Sequence, residues 1–373
     1  MVTVREVKTK KDRKEFINFP LRLYKGVYSF VPPMYSDEKK LIKSGGNTPE
    51  ADAIFFLAER DGKTVGRIQG IIQKQYNEIH DTKRVRFTRF DSIDDTEVSD
   101  ALFAAVEDWA RGYGMTELCG PLGYSDFDRE GLLIEGFEEN NTFEEQYNYE
   151  YYAALCEHAG LQKEIDWLEF ELTAPKVKNE MLAKLAQRSL EINKLHLANT
   201  EGISNSAYVR KYMDGAFACV DECYAKLYGT VPITEKLRGE IVEQFGLIIR
   251  KDYFICICDE NEKVVAFGLG CPSIGDALKK SGGRLTPSAI IKLLKILKNP
   301  RSFDLALIAV LPEYQNSALN AVLINEMVER LCNGTVDKLE TNLNLETNTA
   351  VMAQWKHFTA RQHKRRRAYL KSI

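Results

Sequence analysis

Residues 310–327 read VLPEYQNSALNAVLINEM, an apolar strand end that stops at Pro312, a polar turn, and a run straight into a helix. The turn is built from Gln315, Asn316, Ser317, Ala318, Leu319 and Asn320. A strand that feeds a helix through so tight a turn leaves several backbone N–H groups unpaired. The helix dipole adds partial positive charge at the same place. Such a junction suits a phosphate.

The rest of the chain sets the frame for this junction. At 373 residues it exceeds one ordinary core, and domain sizes of roughly 100–200 residues argue for two domains. With 44% hydrophobic and 28% charged residues and a formal charge of −3, the composition is that of a globular protein without global attraction to nucleic acid. The opening MVTVREVKTKKDRKEF lacks an apolar export segment, and no apolar run approaches the ~20 residues that span a bilayer. Eight cysteines follow no disulfide framework and no C-x-x-C spacing, which predicts reduced thiols, a cytoplasmic protein and no metal.

Two hairpin signals stand two hundred residues apart. AIFFLAERDGKTVGRIQGIIQ turns at Asp61-Gly62, and YFICICDENEKVVAFGLG matches it without a gap, Ile257, Lys263, Val265 and Gly270 standing opposite Leu57, Lys63, Val65 and Gly70. Each is followed by a strand, helix, strand, helix, strand order, an α/β (α+β) plan with a mixed sheet in each half. A join is expected near Thr173 to Lys178. Residues Asp12 to Phe19 read as a helix ended by Pro20. The second half carries an insert, PSIGDALKKSGGRLTPSAIIKLLKILKNP, whose Ile290, Leu293, Leu294, Ile296 and Leu297 form an apolar helical surface. The plain reading packs that helix on its own domain, and the sharper one makes it a lid over a ligand cleft. The closing RQHKRRRAYLK alternates its basic residues between two faces, as a solvated edge strand does.

The element order, with VLPEYQNSALNAVL and ETNLNLETNTAVMAQWKHF, resembles the Gcn5-related N-acetyltransferase (GNAT) superfamily, and within it a bacterial group with two such domains in tandem. The resemblance implies two GNAT-like domains, 1–175 and 176–373, each a mostly antiparallel sheet flanked by helices. It implies acetyl-CoA or another acyl-CoA as cosubstrate, held in the second domain. In the superfamily pattern Q/R-x-x-G-x-G/A, Gln315 matches the first position, while Ala318 and Asn320 stand where glycine, or glycine and alanine, are expected. The resemblance further assigns a backbone N–H near Val310 or Leu311 to the thioester carbonyl and Asn348 to the pantetheine arm. The position of its usual tyrosine acid holds Trp355, and Cys156 stands at the comparable place in the first half. An indole cannot protonate a thiolate, so His357 and Glu313 remain as candidate catalytic groups. Asp91, Asp94 and Asp95 would repel a pyrophosphate at the first-half junction. Tyr124, Asp126 and Asp128 in GYSDFDREG are candidate acceptor contacts, for which ordinary turn chemistry is an equal explanation.

The leading expectation is an N-acyltransferase acting on an unidentified small-molecule or peptide amine, without a membrane partner. The alternative is a catalytically degenerate GNAT-fold protein that binds a metabolite or partner. A transferase using aminoacyl-tRNA comes third, since nucleic acid is disfavoured by the acidic chain. A homo-oligomer is compatible with the sequence.

Overall fold

The computed structural model describes every residue except Leu247 and Asn333, Gly334 and Thr335, and leaves undescribed the side chains of Gln244, Lys356 and His357. In chain order the elements are β1 (Thr3–Glu6), α1 (Lys10–Leu23), α2 (Tyr35–Ser44), β2 (Ala51–Arg60), β3 (Lys63–Gln73), α3 (Lys74–His80), β4 (Arg84–Ser92), α4 (Thr96–Arg111), β5 (Glu117–Gly120), β6 (Leu132–Glu135), α5 (Tyr152–His158) and β7 (Gln162–Thr173). There follow α6 (Glu180–Asn193), β8 (His196–Leu197), α7 (Asn205–Tyr224), α8 (Glu235–Phe245), β9 (Phe254–Cys258), β10 (Val264–Pro272), α9 (Gly275–Leu278) and α10 (Pro287–Lys298). The chain closes with β11 (Ser302–Val310), α11 (Leu319–Leu331), β12 (Lys338–Thr341), β13 (Asn344–Leu345), α12 (Thr349–Met352) and β14 (Ala360–Ser372).

These elements form two compact units. Unit 1 holds Met1–Leu168, Ile274–Leu293 and His363–Ile373; unit 2 holds Glu169–Ser273 and Leu294–Gln362. Neither unit is therefore an uninterrupted half of the chain.

In unit 1 the strands run β1-β2-β3-β4-β5-β14, antiparallel except for the β4–β5 pair. The β2–β3 hairpin turns at Asp61 and Gly62, both at positive φ, the conformation that matches the strand twist. Helix α4 lays Val98, Leu102, Phe103 and Val106 on this sheet, against Ile68, Val85, Phe87 and Leu118. Unit 2 repeats the plan, with antiparallel β8-β9-β10-β11, parallel β11–β12, and β7 antiparallel to β12.

Two local expectations are corrected. Helix α1 continues through Pro20 to Leu23. Proline at this position leaves the carbonyl of Phe16 without its helical donor, and Arg67 Nη1 donates to it at 2.9 Å instead. Strand β14 is no solvated edge, because it pairs with β5 and β6. Its Lys364 and Arg366 are fully buried, Lys364 ion-paired with Glu145 at 2.7 Å and Arg366 with the same carboxylate at 3.2 Å. Alternation located the two faces correctly, but only the fold brings Glu145 to the inner one.

Candidate functional site

In unit 2, β11 runs beside β12 only from Ser302 to Leu305. Asn342 N–H still donates to Leu305 O at 3.1 Å, and beyond this point the parallel pairing ends. On its other side β11 stays paired with β10 up to Val310. Leu311 N–H donates to Val265 O at 3.0 Å. Because donors alternate along an antiparallel pair, the N–H and C=O of Val310 and of Ile308 point the opposite way, to the side that β12 has left. Of the two residues expected to offer an N–H to a carbonyl, Val310 is thus the one directed into the splay.

Helix α7 supplies the side chains there. Tyr224 Oη donates to Ile308 O at 3.0 Å, and the Cys223 thiol donates to Val310 O at 3.2 Å. Burial, then the charge of Glu222, pushes the Cys223 thiol up to about 11, so it stays protonated near neutrality. Neither residue was singled out as a site residue from the sequence. One turn earlier on the same helix, Cys219 is buried and its thiol donates to Val264 O at 3.5 Å.

The turn that follows is a single 3-10 turn, Pro312–Tyr314, leading to an N-cap at Ala318 with φ +59°. That is left-handed backbone, which an alanine adopts at a cost of ~1–2 kcal/mol. The turn thus holds an alanine in a conformation suited to glycine. Gln315 N–H donates to Pro312 O at 3.3 Å and Ser317 N–H to Tyr314 O at 3.1 Å. The N–H groups of Asn316, Ala318, Leu319 and Asn320 have no hydrogen-bond partner among the described residues. Side chains cap α1, α4, α6, α7 and α8 at Thr9, Asp95, Asn179, Ser204 and Thr234, whereas none caps α2, α5, α9 or α11. Asn316 is exposed, Ala318 and Asn320 are half-buried, and Leu319 is buried.

The remaining C-terminal candidates divide. Asn348 caps α12, accepting from Val351 N–H at 3.3 Å, and is half-buried. Glu313 is exposed on the turn. Trp355 is buried and donates from Nε1 to Asn344 Oδ1 at 3.3 Å, a packing role. The side chain of His357 lies outside the described residues.

At the equivalent junction of unit 1 the helix start is filled. Asp95 Oδ1 accepts from Glu97 N–H at 3.0 Å and its carboxylate pairs with Arg60 at 2.7 Å. Asp91 is buried, bound by Arg67 Nε at 2.6 Å and Tyr24 Oη at 2.7 Å. The GYSDFDREG residues are tied into the loop itself: Asp128 accepts from Tyr124 N–H at 2.8 Å, while Tyr124 Oη accepts from Gln69 and donates to Gly46 O, each at 2.8 Å. Asp126 is half-exposed. The neighbouring Glu130 is buried, and burial together with the charge of Asp126 pushes its carboxyl well above its ordinary value.

Unit 1 has a small pocket of its own, partly open to solvent. Its wall is apolar, from Pro20, Tyr24, Phe30, Pro33 and Tyr147. Its floor is charged. Glu38 takes Arg89 at 2.8 Å and Asp91 takes Arg67, whereas among the described residues Arg129 reaches the backbone carbonyls of Phe143 and Val31. Burial pulls the Arg129 guanidinium down to about 10 against the pull of Glu38. Gln146 is buried at the same pocket with an amide nitrogen that no acceptor among the described residues meets.

No family model matches the chain. Protein YghO of Escherichia coli is 29% identical over 388 residues, covering 99% of this chain and 95% of its own length. A bacterial ceramide synthase of Caulobacter vibrioides is 25% identical over 329 residues, covering 86% of this chain and 84% of its own length. Among solved structures, a tandem GNAT protein from the clavulanic acid biosynthesis pathway superposes with a TM-score of 0.58 at 13% identity, covering 100% of this chain and 98% of that one. At that identity the likeness is one of fold.

Proposed function

We propose that this chain, which has the fold of the tandem Gcn5-related N-acetyltransferases, moves an acyl group from acyl-CoA to an amine at the β11–α11 junction of unit 2. The observation that carries the reading is the uncapped start of α11, where four N–H groups without partners follow a strand that splays from its neighbour. In this reading the donors of Asn316, Ala318, Leu319 and Asn320 hold the pyrophosphate of CoA. Val310 N–H polarises the thioester carbonyl, which raises its reactivity because the donor is fixed before charge develops. The neutral amine nitrogen forms the new C–N bond and releases its surplus proton to water, the C–S bond breaks, and the departing sulfur takes a proton from an acid that water then reprotonates, so protons balance over the turnover. Tyr224, whose hydroxyl lies on the same strand edge two residues from Val310, is the proposed source of that proton.

For the acceptor, the Caulobacter relative supports an amine on a long aliphatic chain, since a ceramide is an N-acylated long-chain amino alcohol. The test is thiol release from acetyl-CoA and from a long-chain acyl-CoA, with sphinganine and a short polyamine as acceptors. Amine-dependent thiol release supports the reading. If both thioesters bind and none of these pairs reacts, the catalytically degenerate reading gains, in keeping with Trp355 at the usual position of the acid.

A further inference from the structure

Between Asp276 and Arg301 the chain carries seven basic residues against one acid, on a protein whose formal charge is −3. The start of this insert is pinned within unit 1. Lys279 Nζ donates to Tyr28 O at 2.6 Å, Arg284 lies over the ring of Tyr35 at 3.7 Å, and a Cβ on Gly283 would meet Pro33 O at 1.8 Å. Helix α10 then starts after Thr286, whose hydroxyl accepts from Ala289 N–H at 3.3 Å.

Of the apolar surface expected to pack, Leu293 does so, together with Ala289. Ile296 and Leu297 are half-buried; Ile290 and Leu294 do not pack, being 41% and 60% exposed, and the neighbouring Ile291 is 56% exposed. At about 100° per residue these three exposed residues share an arc of roughly 100° on the side away from Ala289 and Leu293. Lys295 and Lys298 are exposed on the same helix, Lys295 beside that arc and Lys298 within it, one turn beyond Leu294. An aliphatic stripe facing water is unfavourable unless something covers it. A second copy of the chain is a poor cover, because α10 has no acidic residue to meet the lysines of its twin. A bilayer bearing anionic headgroups meets both requirements, taking the aliphatic side chains below the headgroups and the ammonium groups at the phosphates.

We infer that α10 docks this protein onto an anionic lipid surface, lying in the interface with Ile290, Ile291 and Leu294 inserted. The expectation of no membrane partner rested on the lack of a spanning run, and no described helix is long and apolar enough to cross a membrane. Lying in the interface needs only one face. The inference deepens the proposed function by placing the protein where a long-chain amine resides, and to that extent it rests on that reading.

The experiment is flotation of the full chain with vesicles of phosphatidylglycerol and phosphatidylcholine, against phosphatidylcholine alone, at low and high salt. It requires neither acyl-CoA nor turnover, so its failure would leave the transferase reading standing. The wild type is expected to float with the anionic vesicles and to be released by salt. Replacing Lys295 and Lys298 by Glu should weaken partitioning by at least about fivefold per lysine, the equivalent of ~1 kcal/mol each. The double variant Ile291→Ser, Leu294→Ser should abolish flotation with an unchanged thermal midpoint, since both side chains are exposed. Absence of flotation, flotation indifferent to these substitutions, or a dimer that the serine variant splits would each overturn the inference.

Discussion

Ala318 shows how one residue reports on the turn that contains it. Its φ of +59° is costly for a side chain with a Cβ, so Ala318→Gly should stabilise the protein by about 1 kcal/mol, read as a shift in the denaturation midpoint. The same change removes a methyl group from the proposed phosphate turn and should not weaken acyl-CoA binding. Gln146 offers a second test. Its buried, unpaired amide nitrogen predicts that Gln146→Leu raises stability by roughly 1 kcal/mol or more, and a loss of stability would refute that account. Glu38 sets an acid limb. Burial alone would raise its pKa, but the charge of Arg89 and its hydrogen bonds bring it from 4.5 to about 2. A carboxylate depressed by folding contributes stability that is complete above its unfolded value and lost as pH falls from 4.5 toward 2. Glu38→Gln should therefore flatten the stability profile in that window while lowering stability at neutral pH, because Arg89 loses its partner.

At the scale of elements, α10 separates buried from exposed leucines by one position. Leu293→Ala should lower stability by about 2–4 kcal/mol and Leu294→Ala by less than about 0.5 kcal/mol, measured by urea denaturation. The sequence pattern of this helix names its apolar residues but not which of them finds a neighbour. The hairpins were legible because Asp61-Gly62 and strict alternation are local signals. The end of α1 was not, since the donor that compensates Pro20 comes from Arg67, on a strand far along the chain. Strand β14 misled for a related reason: its run of basic residues looks solvated until Glu145 is brought beside Lys364 and Arg366, and Asp166 beside Arg365 and Arg367. At the candidate site the turn from Gln315 to Asn320 could be read from order and composition. The contributions of Tyr224 and Cys223 could not, because they reach β11 through the packing of α7, which no spacing announces.

At the scale of the whole molecule, the same sheet-and-helix plan occurs in both units with opposite treatment of the strand-to-helix junction. In unit 1 Asp95 closes it with a carboxylate, and in unit 2 the start of α11 is left without a cap. We propose that this difference places acyl-CoA in unit 2. Calorimetric titration of the full chain with acetyl-CoA and a long-chain acyl-CoA, repeated on Asn320→Asp and on Asp95→Asn, tests it most directly. The account predicts saturable binding that Asn320→Asp weakens on the order of tenfold, by placing a negative charge against the phosphates, and that Asp95→Asn leaves unchanged. Binding indifferent to Asn320→Asp, or no binding of either thioester, would contradict it.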